Sequence, residues 1–312
     1  MRDVLKEILE GWSPDKSDIS EVEFKKLLWT VRGMVKEHQR ERAFWSATND
    51  NLQDAFMELD RKDQELERAY GTIQADLSVA RSIQKSLLPV PTPTMQNELE
   101  IAVFHQQLAD VGGDYYDFFA TKQDRFAVGV FDISGHGVSA ALVMTYLKAQ
   151  FMMVMDELSS PSQIVQRVNE VSLSFMRSVK RYAALSFVVF GPDSLRYVNG
   201  GGNGLLVTNE SAVQFAKVDQ FLGLRPRPFH EHELRFAEGD LLALYTDGML
   251  EAQNESGEDY TKQRLNDLIV GNHDRPVDEI LQICRDDYSD FRIQDSDDIT
   301  LVLMRRRGNN GY

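Results

Sequence analysis

Cysteine is almost absent: Cys284 stands alone, so no disulfide can form within the chain, and the scarcity points to a reducing compartment. Basic residues are outnumbered, 34 Lys and Arg against 49 Asp and Glu, for a formal charge of -15. A surface short of cations matches neither a nucleic-acid backbone nor an anionic lipid surface, which argues against nucleic-acid and membrane partners. No uncharged apolar run is expected to reach the ~18 residues of a membrane helix. The N-terminal MRDVLKEILEGW lacks the apolar block of a signal peptide. The expectation is a soluble, cytoplasmic protein. Its 312 residues leave room for about two domains.

Proline and glycine are scarce in one region above all. Residues 1–88 contain Pro14, Gly11, Gly33 and Gly71 and no others of either type, which reads as helix. They carry 14 basic and 17 acidic side chains, so most of the acidic surplus falls after Leu88. Ser20 and Glu23 have capping-box spacing, followed by an apolar face of Phe24, Leu27, Leu28 and Val31. From about Glu37 a heptad emerges: Leu52, Leu59, Leu66, Ile73, Ala80 and Leu87 fall seven apart. With these at d, Asn49, Phe56, Asp63, Tyr70, Leu77 and Gln84 occupy a, and Asp63 and Gln84 would weaken the seam or fix its register. The pattern suits a dimeric coiled coil; the alternative is an amphipathic helix packed on its own domain. A helix from Glu37 to Leu88 would span about 78 Å, too long to fold back without a partner. Pro89, Pro91 and Pro93 then end it. The expected organisation is a helical region over 1–45, a coiled-coil linker over 46–88 and a further domain over 89–307.

After the prolines the pattern changes. Strands are expected at Leu99–Phe104, Phe126–Ile133, Ala184–Phe190, Leu195–Val198, Leu205–Thr208, Leu241–Thr246 and Ile299–Met304. Helices are expected at Val138–Met155, Pro161–Val179, Tyr260–Val270 and Val277–Phe291. Strands follow one another with paired helices between runs, which gives an α+β layered domain with antiparallel sheets rather than repeated βαβ units.

Four aspartate clusters sit at strand ends or turns: GGDYYD from Gly112, DISGHG from Asp132, TDG from Thr246 and DSDDIT from Asp295. Asp132 and Asp247 directly follow apolar strands, where a carboxylate is costly unless paired or metal-bound. Each cluster alone is weak, since Asp-Gly is a common turn. Together they form an oxygen-only set suited to hard divalent cations such as Mg²⁺ or Mn²⁺.

In order and spacing, GGDYYD, FDISGHGVSAAL, YTDGMLEA and DSDDITLVL resemble the metal-dependent protein phosphatases (PPM family), and more narrowly their bacterial SpoIIE/RsbU-type branch. The stretch ARSIQKSLLP from Ala80 resembles the helix and "LLP" exit that precede that catalytic domain. The resemblance covers about residues 78–305. It implies a two-layer antiparallel β-sandwich flanked by helix pairs, holding two divalent ions. Asp132 would bridge both ions and the Ile133 carbonyl would complete one site. Asp114 matches the first-motif aspartate, and Asp247 and Asp297 match ligands of the second ion. Asp298, the adjacent position, where the wider family often has asparagine, is a further candidate ligand ranked below Asp297, and Asp117 is a weaker candidate that matches a second aspartate serving structure.

The implied activity is hydrolysis of phosphoserine or phosphothreonine by a metal-activated water. The implied substrate is a STAS-type anti-anti-sigma factor in a partner-switching pathway. The chain would act as a homodimer, with any upstream activator working through the N-terminal helices. His136 is either the acid that protonates the leaving oxygen or a loop residue that only hydrogen-bonds. Arg181 is the candidate for a phosphate contact, and Glu251 is either a residue behind the ligands or part of a helix. Residues 199–204, NGGGNG, depart from the branch's "AGH-P" stretch: the histidine and proline are absent, so any substrate-side contacts differ there while the four aspartates are intact. A scaffold that binds a phosphoprotein without turning it over is the rival from another class, although all four ligand positions retain aspartate. A hydrolase of small phosphoesters is a second enzymatic rival.

Overall fold

The computed structural model describes residues 21–308, apart from 122–124, 156, 159, 218 and 296. The chain divides into two compact units at Ile73/Gln74. Helix α1 (Glu21–Leu87) is continuous for 67 residues. It starts well before Glu37 because Gly33 is tolerated inside it, at a cost of about 1 kcal/mol relative to alanine. Pairs such as Lys25–Glu21 at 2.6 Å and Lys62–Glu58 at 3.1 Å support its exposed faces. Ser20 of the expected capping box, and the side chains of Glu23 and Phe24, lie outside the described residues. Leu52, Leu59, Leu66 and Ile73 are all more than half exposed in the single chain. Gln84 departs from the heptad reading. It is buried, and its carboxamide bonds a loop of its own domain instead of lining a seam.

The remaining elements are α2 (Pro93–Glu98), β1 (Leu99–Gln106), β2 (Tyr115–Ala120), β3 (Phe126–Ile133), α3 (Val138–Met155), α4 (Pro161–Ser178), β4 (Ala183–Phe190), β5 (Ser194–Gly200), β6 (Asn203–Val207), β7 (Ala212–Gln214), β8 (His232–Arg235), β9 (Leu241–Tyr245), α5 (Lys262–Gly271), α6 (Val277–Phe291) and β10 (Ile299–Arg306). They form two five-stranded antiparallel sheets, β1-β10-β9-β6-β7 and β2-β3-β4-β5-β8. Alternate residues of each strand serve opposite layers. Val128, Val130, Val188 and Phe190 of one sheet meet Leu206, Leu242, Leu244 and Val302 of the other. Ala127, Phe131 and Phe187 turn outward onto Leu147 and Phe151 of α3 and Ile164 of α4. Ala243, Leu301 and Leu303 face Leu265 and Ile269 of α5 and Ile280 of α6. The expected sandwich flanked by helix pairs is the fold observed.

Both faces of β3 are covered, which is why its sequence is one apolar run rather than an alternation. Helix α3, whose apolar run is interrupted by Lys148, is by length and composition long and apolar enough to cross a membrane. Here it is a core helix. Phe151 is fully buried among Phe119, Phe131 and Phe187, a burial that contributes roughly 1.5–3 kcal/mol. Its Lys148 Nζ reaches Asp117 Oδ2 at 2.6 Å.

Thr261, which caps α5, has φ 64° and ψ 143°, a region nearly reserved for glycine. Its Oγ1 accepts from Arg264 N at 3.3 Å. Strain for a β-branched residue there is about 1–3 kcal/mol, whereas replacing a cap by glycine costs a few tenths. Thr261→Gly is therefore expected to raise stability by about 1 kcal/mol, read as an increase in the urea midpoint at unchanged slope.

Candidate active site at the seam of the two sheets

The four motifs meet where the sheets' ends come together. Asp114 lies in the connection that leaves β1 in one sheet and enters β2 in the other. Asp132 is near the end of β3, while Asp247 follows β9 and Asp297 and Asp298 precede β10 in the opposite sheet. Close backbone approach requires glycine here: a Cβ on Gly248 would stand 1.9 Å from the Asp298 carbonyl oxygen. One on Gly113 would stand 2.8 Å from the Ile133 carbonyl oxygen, which places the first motif against the second.

Asp114 is buried, and its Oδ2 accepts from Thr246 Oγ1 at 2.7 Å and Thr300 Oγ1 at 2.8 Å. Burial, then the charge of Asp132, pushes Asp114 well above the usual carboxylate range, and the two threonines oppose the shift. Asp132 is pushed up to about 7, first by burial and then by Asp247, Asp297, Asp298 and Glu251. Asp297 is raised by burial, with Asp298 and Asp247 adding to it; the Asp298 N–H and His136 pull it down. These are like charges held within reach of one another, a costly arrangement that cations relieve.

Asp298 is buried and heavily committed: Oδ2 accepts from Gly113 N at 2.7 Å and Asp114 N at 3.3 Å, and Oδ1 from Leu108 N at 2.8 Å. Among the described residues no three acidic, histidine or cysteine side chains close into a ligand cage. What the structure gathers is an electrostatically coupled, oxygen-only cluster, and that donor chemistry fits Mg²⁺ or Mn²⁺.

His136 is exposed on the loop after Asp132, and among the described residues its ring makes no hydrogen bond. Arg181 donates to Ser139 Oγ at 2.7 Å, at the start of α3. Glu251 is exposed, and burial followed by Asp247 and Asp297 raises it. Asp117 sits apart, paired with Lys148, and burial still pushes it up to about 6. Cys284 is buried in the helix layer, its thiol pushed up to about 12 by burial and Asp287, so it carries no thiolate chemistry.

Several residues escaped the sequence reading. Thr246 and Thr300 orient Asp114, yet each stands inside a recognised motif, which was the available signal. Lys262 Nζ reaches Asn203 Oδ1 at 3.3 Å, and Asn203 lines a small recess with Asp132, Gly202 and Asp247. The NGGGNG departure has a steric cause. A Cβ on Gly202 would stand 2.5 Å from Ser186 Oγ and 2.6 Å from the Leu185 carbonyl carbon, so this backbone excludes a histidine there.

Two antiparallel sheets between helix pairs, with acidic loops at their seam, are the fold of solved PP2C domains. The SiaA-PP2C domain of Pseudomonas aeruginosa superposes with a TM-score of 0.70 at 21% identity, over 76% of this chain and 98% of that one. Residues 122–307 match the family model described as Stage II sporulation protein E (SpoIIE), and the chain belongs to that family. Protein IcfG of Synechocystis is 26% identical over 270 residues, 76% of this chain and 42% of its own length. Phosphoserine phosphatase RsbP of Bacillus subtilis is 23% identical over 216 residues, 66% of this chain and 51% of its own. The chain thus spans about half the length of these two curated relatives.

Proposed function

We propose that the protein is a Mn²⁺- or Mg²⁺-dependent protein serine/threonine phosphatase acting on a phosphorylated STAS-type anti-anti-sigma factor in a partner-switching pathway. The observation that carries this reading is the seam itself, where Asp132 from one sheet faces Asp247 and Asp297 from the other and is pushed up to about 7. Asp114, Asp132, Asp247 and Asp297, with the Ile133 carbonyl, would hold the two ions. Asp298, already accepting three backbone N–H groups, would keep the Asp114 loop in place. Bound divalent ions supply a water acidified toward neutrality and neutralise charge on the phosphoryl group. Exposed His136, which acts electrostatically on Asp297, would be the group that gives a proton to the serine oxygen as it leaves. The positive end of α3, directly after this loop, favours an anion at the mouth.

The exposed heptad of Leu52, Leu59, Leu66 and Ile73 supports pairing with a second copy as a coiled coil, through which an activator on the N-terminal helices would act. The STAS substrate and the cytoplasmic setting rest on the family resemblance and the lone buried thiol. The test is phosphate release from a phosphorylated STAS protein and from a small phosphoester, with Mn²⁺ and with EDTA. Release from the protein alone, abolished by EDTA, is expected. Equal release from the small ester would favour a general phosphoesterase. Binding without release would mark a scaffold.

A further inference from the structure

Gln84, on the last turn of α1, is 4% exposed and makes a peptide-like pairing with one residue of the first motif. Its Nε2 donates to Gly112 O at 2.8 Å, and its Oε1 accepts from Gly112 N at 3.2 Å and from Gln107 Nε2 at 2.8 Å. One turn earlier, on the same face, Arg81 reaches Asp110 of the same loop at 3.5 Å.

Gly112 is held between this carboxamide and the acidic cluster. A Cβ on it would stand 2.1 Å from Asp298 Oδ2. The next two N–H groups, of Gly113 and Asp114, both donate to that oxygen. A short physical chain thus runs from the end of the helix, through the Gly112 backbone, to Asp298 and Asp114. Without the carboxamide, the Gly112 N–H and C=O would be buried without partners. An unmade bond of that kind is costly enough to shift a loop.

We propose that Gln84 is the positioning residue through which the end of α1 sets the cation affinity of the acidic cluster. The inference rests on the metal-dependent reading above. It also gives the helix a means of control, because side-chain direction turns by ~100° per residue along a helix. A small rotation of α1 about its axis would withdraw the carboxamide from Gly112. The cluster would then lose the N–H groups that hold Asp298 beside Asp114.

The experiment is calorimetric titration of MnCl₂ into the metal-free full chain, alongside its thermal midpoint. Gln84→Met keeps the side-chain volume and removes both polar ends; Gln84→Asn keeps the carboxamide but shortens its reach. Gln84→Met is expected to weaken Mn²⁺ binding by about tenfold or more, the usual scale for residues that orient ligands. Gln84→Asn is expected to fall between it and the parent, and it carries the test if Gln84→Met does not fold. Mn²⁺ affinity within twofold of the parent in the folded variants, with only a lowered thermal midpoint, would reduce Gln84 to a packing residue and overturn the proposal. A parent chain that binds no Mn²⁺ would overturn the metal-dependent reading as well, so the two failures are distinguishable.

Discussion

Asp132→Ala lowers Mn²⁺-dependent phosphate release by on the order of 10³-fold, the scale of losing one preorganised charge-stabilising group. The same substitution raises the thermal midpoint of the metal-free protein at pH 8. The sign follows from the carboxyl being pushed up to about 7, against about 3.9 in an unfolded chain. A carboxyl raised on folding contributes stability that is fully present below about pH 4 and lost as pH rises through about 7. The metal-free parent should therefore lose stability between about pH 4 and 7, and the alanine variant should show a flatter profile. Thermal melts across that range, with and without Mn²⁺, read both effects. Phosphate release that survives in Asp132→Ala would refute the mechanism.

Lys148→Ala destabilises the domain by about 3–5 kcal/mol, because it leaves a buried carboxylate without its cation. Asp117 is almost fully buried, and its carboxylate is held by Lys148 Nζ at 2.6 Å and by the Phe118 N–H at 2.9 Å. Burial already pushes Asp117 up to about 6 against the pull of Lys148. Without the lysine it moves higher, so the variant is most stable where the carboxyl is protonated and loses stability as pH rises through the new value. Urea unfolding should show a larger loss at pH 8 than at pH 5. Lys148→Met with Asp117→Asn should recover most of it. A loss independent of pH would assign the effect to packing of the lysine stem alone.

The same ion pair explains part of what the sequence conceals. β3, α3 and α6 are legible because burial makes each a run of apolar residues or a clean amphipathic period, and their expected bounds match those observed. β2 carries Asp117 in its centre, a charge that reads as a turn signal until the helix supplies its partner. The edge strands β7 and β8 are short, the first exposed throughout and the second at alternate residues, so little burial is written into them. The aspartate motifs are legible as an ordered set because the proposed cation site would demand one residue type at each position. Thr246, Thr300 and Gln84 are not, since a hydroxyl or carboxamide acquires its role only when strand register or helix rotation brings it to a particular oxygen. Gln84 even falls on the heptad, where its polarity reads as a register device for a coiled coil.

The cluster draws its carboxylates from both sheets, and between those sheets lies an apolar layer of Val128, Val130, Leu242, Leu244 and Val302. Apolar contact resists separation strongly but is non-directional, so it sets little preference against one sheet sliding over the other. The acidic seam converts such a slide into chemistry. Displacement of about 1 Å along the strands would change every carboxylate distance that crosses the seam, an error that can cost ~10²-fold in rate. The sandwich behaves as a caliper whose jaws are Asp132 on one arm and Asp247 and Asp297 on the other. Its apolar filling is the gauge block that sets the gap.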